Sequence, residues 1–303
     1  MKTLLTGATG FVGRAVIESG IDLKIVIRKH ETSDFSPFFN IEQLDKNTEW
    51  DNAFIDIDSV IHLAGLAHSN QFTKLDYETV NVEGTLNLAK QAAKSGVRRF
   101  VFVSSIGVNG TSTSNTAFRV DSTPCPQNDY AKSKLSAEKA LTEIANETDM
   151  ELVIVRPTLV YGPNAPGNFG ALMRLIDKVP VLPFGLTGNK RDFISVQNLA
   201  HLLVTCTTHQ NAAGRIFLAS EGETVSIKQF TNAIAKGLGR SLYQIPVPVG
   251  LMRFVGKLIG KHAMVEQLVG NLQVDSSNAQ EMLGWIPPYT MEQAMASLSE
   301  NKK

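Results

Sequence analysis

The sequence predicts an α/β protein: a doubly wound parallel sheet carrying a smaller, mostly helical C-terminal lobe. Three observations predict it. Short β-branched runs alternate with longer helical patterns through the first half, the rhythm of parallel strands joined by crossover helices. A glycine-rich turn, Gly7-Ala-Thr-Gly10-Phe-Val-Gly13, separates the first strand from the first helix. After Pro157, prolines and glycines crowd together ahead of a mainly helical end.

Taken in order, residues 2–5 read as strand, 11–19 as helix and 23–27 as the second strand. Segment 28–47 is the least regular and holds a weak third strand near 41–44. Residues 59–63 form a buried strand, and 76–94 one long amphipathic helix with Val80, Leu86, Leu88 and Ala92 on one side. Strand 99–104 and helix 130–147 follow. Strand 152–155 is ended by Arg156-Pro157, because proline donates nothing to a ladder. Beyond it, 197–208 reads as helix and 215–218 as a strand returning to the sheet. Helices then fill 226–238, 248–261, 264–270, 275–283 and 290–300.

The three glycines have separate tasks. Gly7 permits the tight turn, Gly10 lets backbone approach a pyrophosphate at the helix N-terminus, and Gly13 allows close helix–strand packing. Such a turn suits a dinucleotide. The end of the second strand selects which one: an Asp or Glu there accepts from the ribose 2′-hydroxyl of NAD. Here the chain runs Val26-Ile-Arg28-Lys-His30, without a carboxylate. Arg28, helped by Arg14, can pair with a 2′-phosphate, so NADP(H) is expected over NAD(H).

Tyr130 and Lys134 stand four apart at a helix start and share a face. A nearby cation favours the phenolate and lowers the tyrosine pKa, as a general acid/base requires. Upstream, strand 99–104 ends in Ser104-Ser105, at the sheet edge where open α/β folds hold ligands. A hydroxyl there can orient a substrate oxygen beside Tyr130. Each piece alone is commonplace; the order of glycine loop, serine pair and Y-x-x-x-K is not.

This combination resembles the extended short-chain dehydrogenase/reductase family, the NAD-dependent epimerases and dehydratases of sugar nucleotides. The resemblance covers nearly the whole chain, through Asp58-Ser-Val-Ile-His-Leu-Ala-Gly65, Asn81-Val-Glu-Gly-Thr85, Arg156-Pro-Thr-Leu-Val-Tyr-Gly-Pro163 and Arg191-Asp-Phe-Ile-Ser-Val196. It implies a Rossmann-like domain at 1–160, with 191–220 returning to it, and a substrate-binding lobe at 161–190 and 221–303. It also implies a catalytic Ser105, Tyr130 as acid/base and Lys134 as its partner. The cofactor would be lined by Gly7, Thr9, Gly10, Phe11, Val12, Gly13, Arg28, Leu63, Ala64, Gly65 and Pro157, besides Tyr130 and Lys134. His62 belongs to the same lining segment, and Asn81 would brace the sheet. Asn168 and Arg191 would contact a nucleotide diphosphate.

Two features depart from the family's NAD-bound UDP-galactose epimerases: the missing acid after the second strand, and the missing late arginine ahead of Val274-Asp-Ser-Ser277. The segments 188–193 and 283–288 resemble a bacterial branch labelled UDP-glucose 4-epimerase-like, which includes reductases of UDP-4-keto-6-deoxy-N-acetylglucosamine. The expected activity is therefore reduction of a UDP-4-keto-6-deoxy-hexosamine, with Tyr130 as general acid. A UDP-hexose 4-epimerase with tightly bound NAD is the alternative, and a non-catalytic dinucleotide sensor a third.

Composition excludes other classes. Hydrophobic residues at 43% describe a folded chain, and 29 basic residues balancing 29 acidic ones leave no footprint for nucleic acid. Two cysteines, Cys125 and Cys206, fit a reducing cytoplasm, and the six histidines lack metal-ligand spacing. No apolar run reaches the ~20 residues a bilayer requires, and the opening Met-Lys-Thr-Leu-Leu turns polar too soon for a signal peptide. No stable membrane insertion is expected. Arg253, Lys257 and Lys261 oppose Met252, Val255, Leu258 and Ile259, which reads as a helix packed on the C-terminal lobe rather than one lying on a membrane. The helices 76–94 and 130–147 suit the four-helix seam of a homodimer, or packing within the chain.

Overall fold

The computed structural model describes residues 1–67, 69 and 71–300. Strand β1 (Thr3–Thr6) leads through the glycine turn into α1 (Phe11–Glu18), followed by β2 (Leu23–Arg28), β3 (Phe38–Ile41) and β4 (Ser59–His62). The third strand thus lies three residues earlier than its sequence pattern suggests. Next come α2 (Lys74–Tyr77), a π-helical stretch over Glu78–Gly84, α3 (Thr85–Lys94), β5 (Arg99–Val103) and α4 (Asp129–Glu147). Strand β6 (Glu151–Pro157) and strand β10 (Arg215–Ala219) complete a seven-stranded sheet in the order β10-β6-β5-β4-β1-β2-β3, every pair parallel. Strand β6 does not stop at Val155. It carries Pro157 opposite Ala219, at the very end of the ladder where a missing N–H costs least.

Alternation along each strand sends neighbours to opposite faces. Leu5, Ile25, Ile61, Val101 and Val153 meet α1 and α6 (Val196–Thr208) on one face. Leu4, Val26, Val60, Phe100 and Phe102 meet α3 and α4 on the other. Both faces are covered, as a parallel sheet requires. Helices α3 and α4 pack on each other within the chain. The order reverses between β1 and β4, and the loops leaving these two strands open the crevice in which such sheets hold ligands.

The remaining elements build around that crevice. They are β7 (Leu159–Tyr161), α5 (Gly167–Lys178), β8 (Val181–Leu182), β9 (Arg191–Ser195), β11 (Thr224–Val225), α7 (Ile227–Gly237), β12 (Tyr243–Gln244), α8 (Val249–Leu258), α9 (His262–Val269), α10 (Ser277–Leu283) and α11 (Met291–Glu300). Tyr161, Phe169, Phe193 and Phe230 form their own aromatic core, with Phe193 and Phe230 stacked at 3.8 Å. Ala279, Leu283 and Trp285 pack instead into the core beneath the large sheet. No helix among the described residues is long and apolar enough to cross a membrane.

Candidate active site

The glycine turn is shaped by contacts a side chain would destroy. Gly7 adopts φ +72°, and a Cβ there would lie 2.8 Å from the Ala64 nitrogen, so the loops after β1 and β4 touch backbone to backbone. A Cβ on Gly13 would sit 2.2 Å from the Gly7 carbonyl oxygen. Gly10 begins α1 in extended conformation, with no side chain capping the helix and no acid in its first turn. The first amides of α1 therefore keep their donors for an anion. Gly65 is pressed as tightly: a Cβ would fall 2.9 Å from Asn81 Oδ1 and 3.6 Å from Lys134 Nζ. These cradles fit a dinucleotide, and the Ser104 hydroxyl, buried with no hydrogen-bond partner among the described residues, adds a donor nearby.

One expectation at the end of β2 fails. A carboxylate does stand there: Glu31 folds back, accepting from the Arg28 guanidinium at 2.6 Å, the Arg28 amide at 3.1 Å and the Thr9 hydroxyl at 3.4 Å. Arg28 is thereby engaged, and Arg14 donates to the Thr9 carbonyl at 3.2 Å. The strand's own residues contain no acid; a turn of three residues supplies it, which reading along the strand does not detect.

Helix α4 presents the chemistry. Asn128 caps it by accepting from the Ala131 amide at 2.8 Å, which fixes where the helix begins and so where Tyr130 lies. The Tyr130 hydroxyl hydrogen-bonds Ser105, whose own Oγ accepts from the Gly107 amide at 3.1 Å. Tyr77 from α2 packs edge-on against the Tyr130 ring at 6.0 Å. One turn on, the Lys134 ammonium donates to the Val103 carbonyl at 3.0 Å and lies 4.7 Å from the centre of the Phe102 ring. Sequence reasoning expected the lysine to acidify the phenol. Instead burial pushes Tyr130 up to about 12, against the Ser105 hydrogen bond that favours ionisation. Burial draws Lys134 down to about 8, with Glu138 opposing. In this arrangement Tyr130 is a neutral acid and Lys134 a weakened cation.

Further groups hold this pair in place, Asn81 among them as the family resemblance implies. Asn81 lies in the π-helical stretch, where a widened turn brings its amide to the Leu66 backbone (2.7 Å from N–H, 3.1 Å to C=O) and to the Ser133 hydroxyl at 3.1 Å. Arg156 clamps Glu138 of α4 through two bonds of 2.5 and 2.9 Å and reaches Asn109 at 3.0 Å. This buried fork ties β6, α4 and the turn after Ser105 together. Both partners occur in the sequence, but only folding reveals that they meet. His62 does not line the crevice: it is fully buried, between the Thr6 hydroxyl at 2.7 Å and the Thr85 hydroxyl at 2.9 Å. Burial lowers its pKa to about 3, so it is a neutral brace.

The residues expected at the diphosphate end lie apart from this cluster. Arg191 starts β9 and is buried; its guanidinium donates to the Gly270 carbonyl at 3.1 Å, and desolvation draws it down to about 10. Asn168 is exposed on the first turn of α5 and donates to Gln267 at 3.2 Å. The two meet different ends of one stretch, 267–270. Pro157 is buried at the end of β6, while Leu63 and Ala64 are partly buried beyond β4.

Comparison with known proteins agrees with this geometry. The family described as NAD dependent epimerase/dehydratase matches residues 3–219. A UDP-glucose 4-epimerase of Vibrio cholerae is 40% identical over 98% of this chain and 94% of its own. Among solved structures, the UDP-N-acetylglucosamine 4-epimerase of Bacillus cereus superposes with TM-score 0.79 at 20% identity, covering 99% of each chain. The UDP-glucose 4-epimerase of Thermotoga maritima gives 0.76 at 23%, over 99% of this chain and 98% of that one. The protein is thus an enzyme of the NAD-dependent epimerase/dehydratase family, built on the Rossmann-like sheet its sequence predicts.

Proposed function

We propose that this enzyme inverts C4 of a UDP-sugar by transient oxidation, with Ser105, Tyr130 and Lys134 as its catalytic residues. The observation that carries the proposal is the Ser105–Tyr130 hydroxyl pair, with Lys134 one turn along α4 from Tyr130 and reaching toward Gly65 in the loop after β4. The name of the 40% identical relative supports it. The glycine turn, Leu63, Ala64, Gly65, Lys134 and Pro157 would hold the dinucleotide. When bound, the dinucleotide would supply a hydride acceptor and donor for C4. Tyr130 takes the proton from the C4 hydroxyl as oxidation proceeds and gives it back after the ketone has turned. Ser105 keeps the C4 oxygen within reach of that phenol. Tyr130 stands at about 12 with Lys134 already in place, so further positive charge beside it would be needed to bring its pKa down before it takes that proton. Arg191, a guanidinium with one bond to Gly270 among the described residues, suits the diphosphate, and Asn168 its edge.

Glu31 supports NAD as the retained cofactor, because its carboxylate at the end of β2 suits ribose hydroxyls. A second reading rests on Arg28. Its side chain is 56% exposed, and an exposed ion pair holds it weakly. Arg28 is thus able to exchange Glu31 for a 2′-phosphate, which favours NADPH-dependent reduction of a UDP-4-keto-6-deoxy-hexosamine. Incubation of the purified enzyme with UDP-glucose, UDP-N-acetylglucosamine and the 4-keto-6-deoxy sugar nucleotide, read by NMR, separates the two. Epimers formed without added cofactor are expected. Stoichiometric NADPH consumption with the keto sugar alone would establish the reductase, and no turnover of any of them would overturn both.

A further inference from the structure

The helical hairpin α8–α9 departs in part from its sequence reading. Met252 and Leu268 pack against the core of the C-terminal lobe, but the rest of the apolar stripe does not. Leu251, Phe254, Val255 and Leu258, spaced as one face of α8, are 51%, 59%, 44% and 69% exposed, and Ile259 and Met264 extend the face at 64% and 55%. The sole residue α8 buries is Gly256, against which α9 closes so tightly that a Cβ would meet Val265 at 2.6 Å. The hairpin is therefore a braced unit that turns its apolar side outward. Its charges are one-sided. Glu266, its single acid, is held by Arg253 at 2.7 Å, and the exposed Lys257 and Lys261 have no acidic partner among the described residues. Over the whole chain, acids and bases balance, so the hairpin is more basic than the chain as a whole.

We propose that α8–α9 docks the enzyme on an anionic lipid surface, with the apolar face entering the headgroup boundary and Lys257 and Lys261 meeting lipid phosphates. An amphipathic helix with aromatic and aliphatic side chains on one face and lysines beside it binds such a surface in this way, lying in its plane without spanning it. A second copy of the chain fits worse, since a two-fold contact through this face would bring like charges together. Docking would also bring the site close to the surface: the hairpin's end, 267–270, bonds Asn168 and Arg191.

Co-sedimentation of the full chain with phosphatidylcholine vesicles, with and without phosphatidylglycerol, tests this. Binding is expected only with phosphatidylglycerol and should weaken as salt rises. The double variant Lys257→Glu, Lys261→Glu should bind roughly thirtyfold or more weakly. Phe254→Ser with Leu258→Ser should remain in the supernatant, while a wild-type melting temperature shows that it is folded. A Phe254→Trp fluorescence blue shift on adding anionic vesicles reports burial of the face directly. Failure of the wild-type chain to sediment with anionic vesicles overturns the proposal. So does a wild-type dimer that the Phe254→Ser, Leu258→Ser variant converts to monomer.

Discussion

Helices α4 and α8 carry comparable apolar stripes and have opposite fates. On α4, Ala131, Ala137, Leu141 and Ile144 vanish into the core against α3 and the sheet, and the buried side also brings Lys134 and Glu138 inward. On α8 the stripe Leu251, Phe254, Val255 and Leu258 faces water and Gly256 alone is buried. Helical periodicity states that a face exists; it does not state what the face meets. The difference lies in the neighbours. Helix α4 crosses a sheet whose strands are already ordered by parallel pairing, whereas α8 packs chiefly on α9, a helix of eight residues, and reaches the lobe's core through Met252.

The comparison can be broken most strongly at the Glu138–Arg156 fork. Glu138→Ala leaves a guanidinium buried without its acid, and should cost about 3–5 kcal/mol of unfolding free energy in urea titration. A loss below about 1 kcal/mol would mean that α4 is not held from beneath as described. The next effect is a pH dependence. An unfolded His62 takes up a proton below its ordinary 6.5, whereas the folded one does not until about 3. The unfolded state therefore binds more protons in that window, and stability falls with acid by about 1.4 kcal/mol per pH unit for this one group. His62→Gln should remove that slope between pH 6.5 and 5, and an unchanged slope would place the imidazole in water. At the end of β2, Glu31→Gln should shift the NADP/NAD affinity ratio roughly tenfold toward NADP, because it frees Arg28 and removes a negative charge. An unaltered ratio would remove Glu31 from cofactor selection. The smallest effect belongs to α8: Leu258→Ser should change stability by less than about 0.5 kcal/mol, and a loss of several kcal/mol would show that its stripe is buried after all.

The contrast also marks what was legible beforehand. Most strands of the large sheet, the glycine turn and the shared face of Tyr130 and Lys134 were readable because each rests on local rules: short β-branched runs, a turn only glycine can make, and i, i+4 spacing. Three features were not, for distinct reasons. Glu31 reaches the end of β2 through a turn outside the strand. Asn81 was named by resemblance alone, because periodicity treats 76 to 94 as one α-helix, whereas a π-helical stretch turns its amide to Leu66 and Ser133. The acidification expected of Tyr130 looked only at charge; in the fold, desolvation raises the phenol against the Ser105 hydrogen bond, and Lys134 spends a donor on Val103. The short strands β7, β8, β9, β11 and β12 were also unreadable, since two to five residues between prolines and glycines carry no usable period.

The Tyr130 proton is the step on which the functional account depends, and Tyr130→Phe tests it most directly. Turnover of the UDP-sugar should fall by about 10²–10⁴, while dinucleotide affinity, held by the glycine turn and the loop after β4, stays near that of the unaltered enzyme. Turnover that survives the loss of this one oxygen would contradict the account.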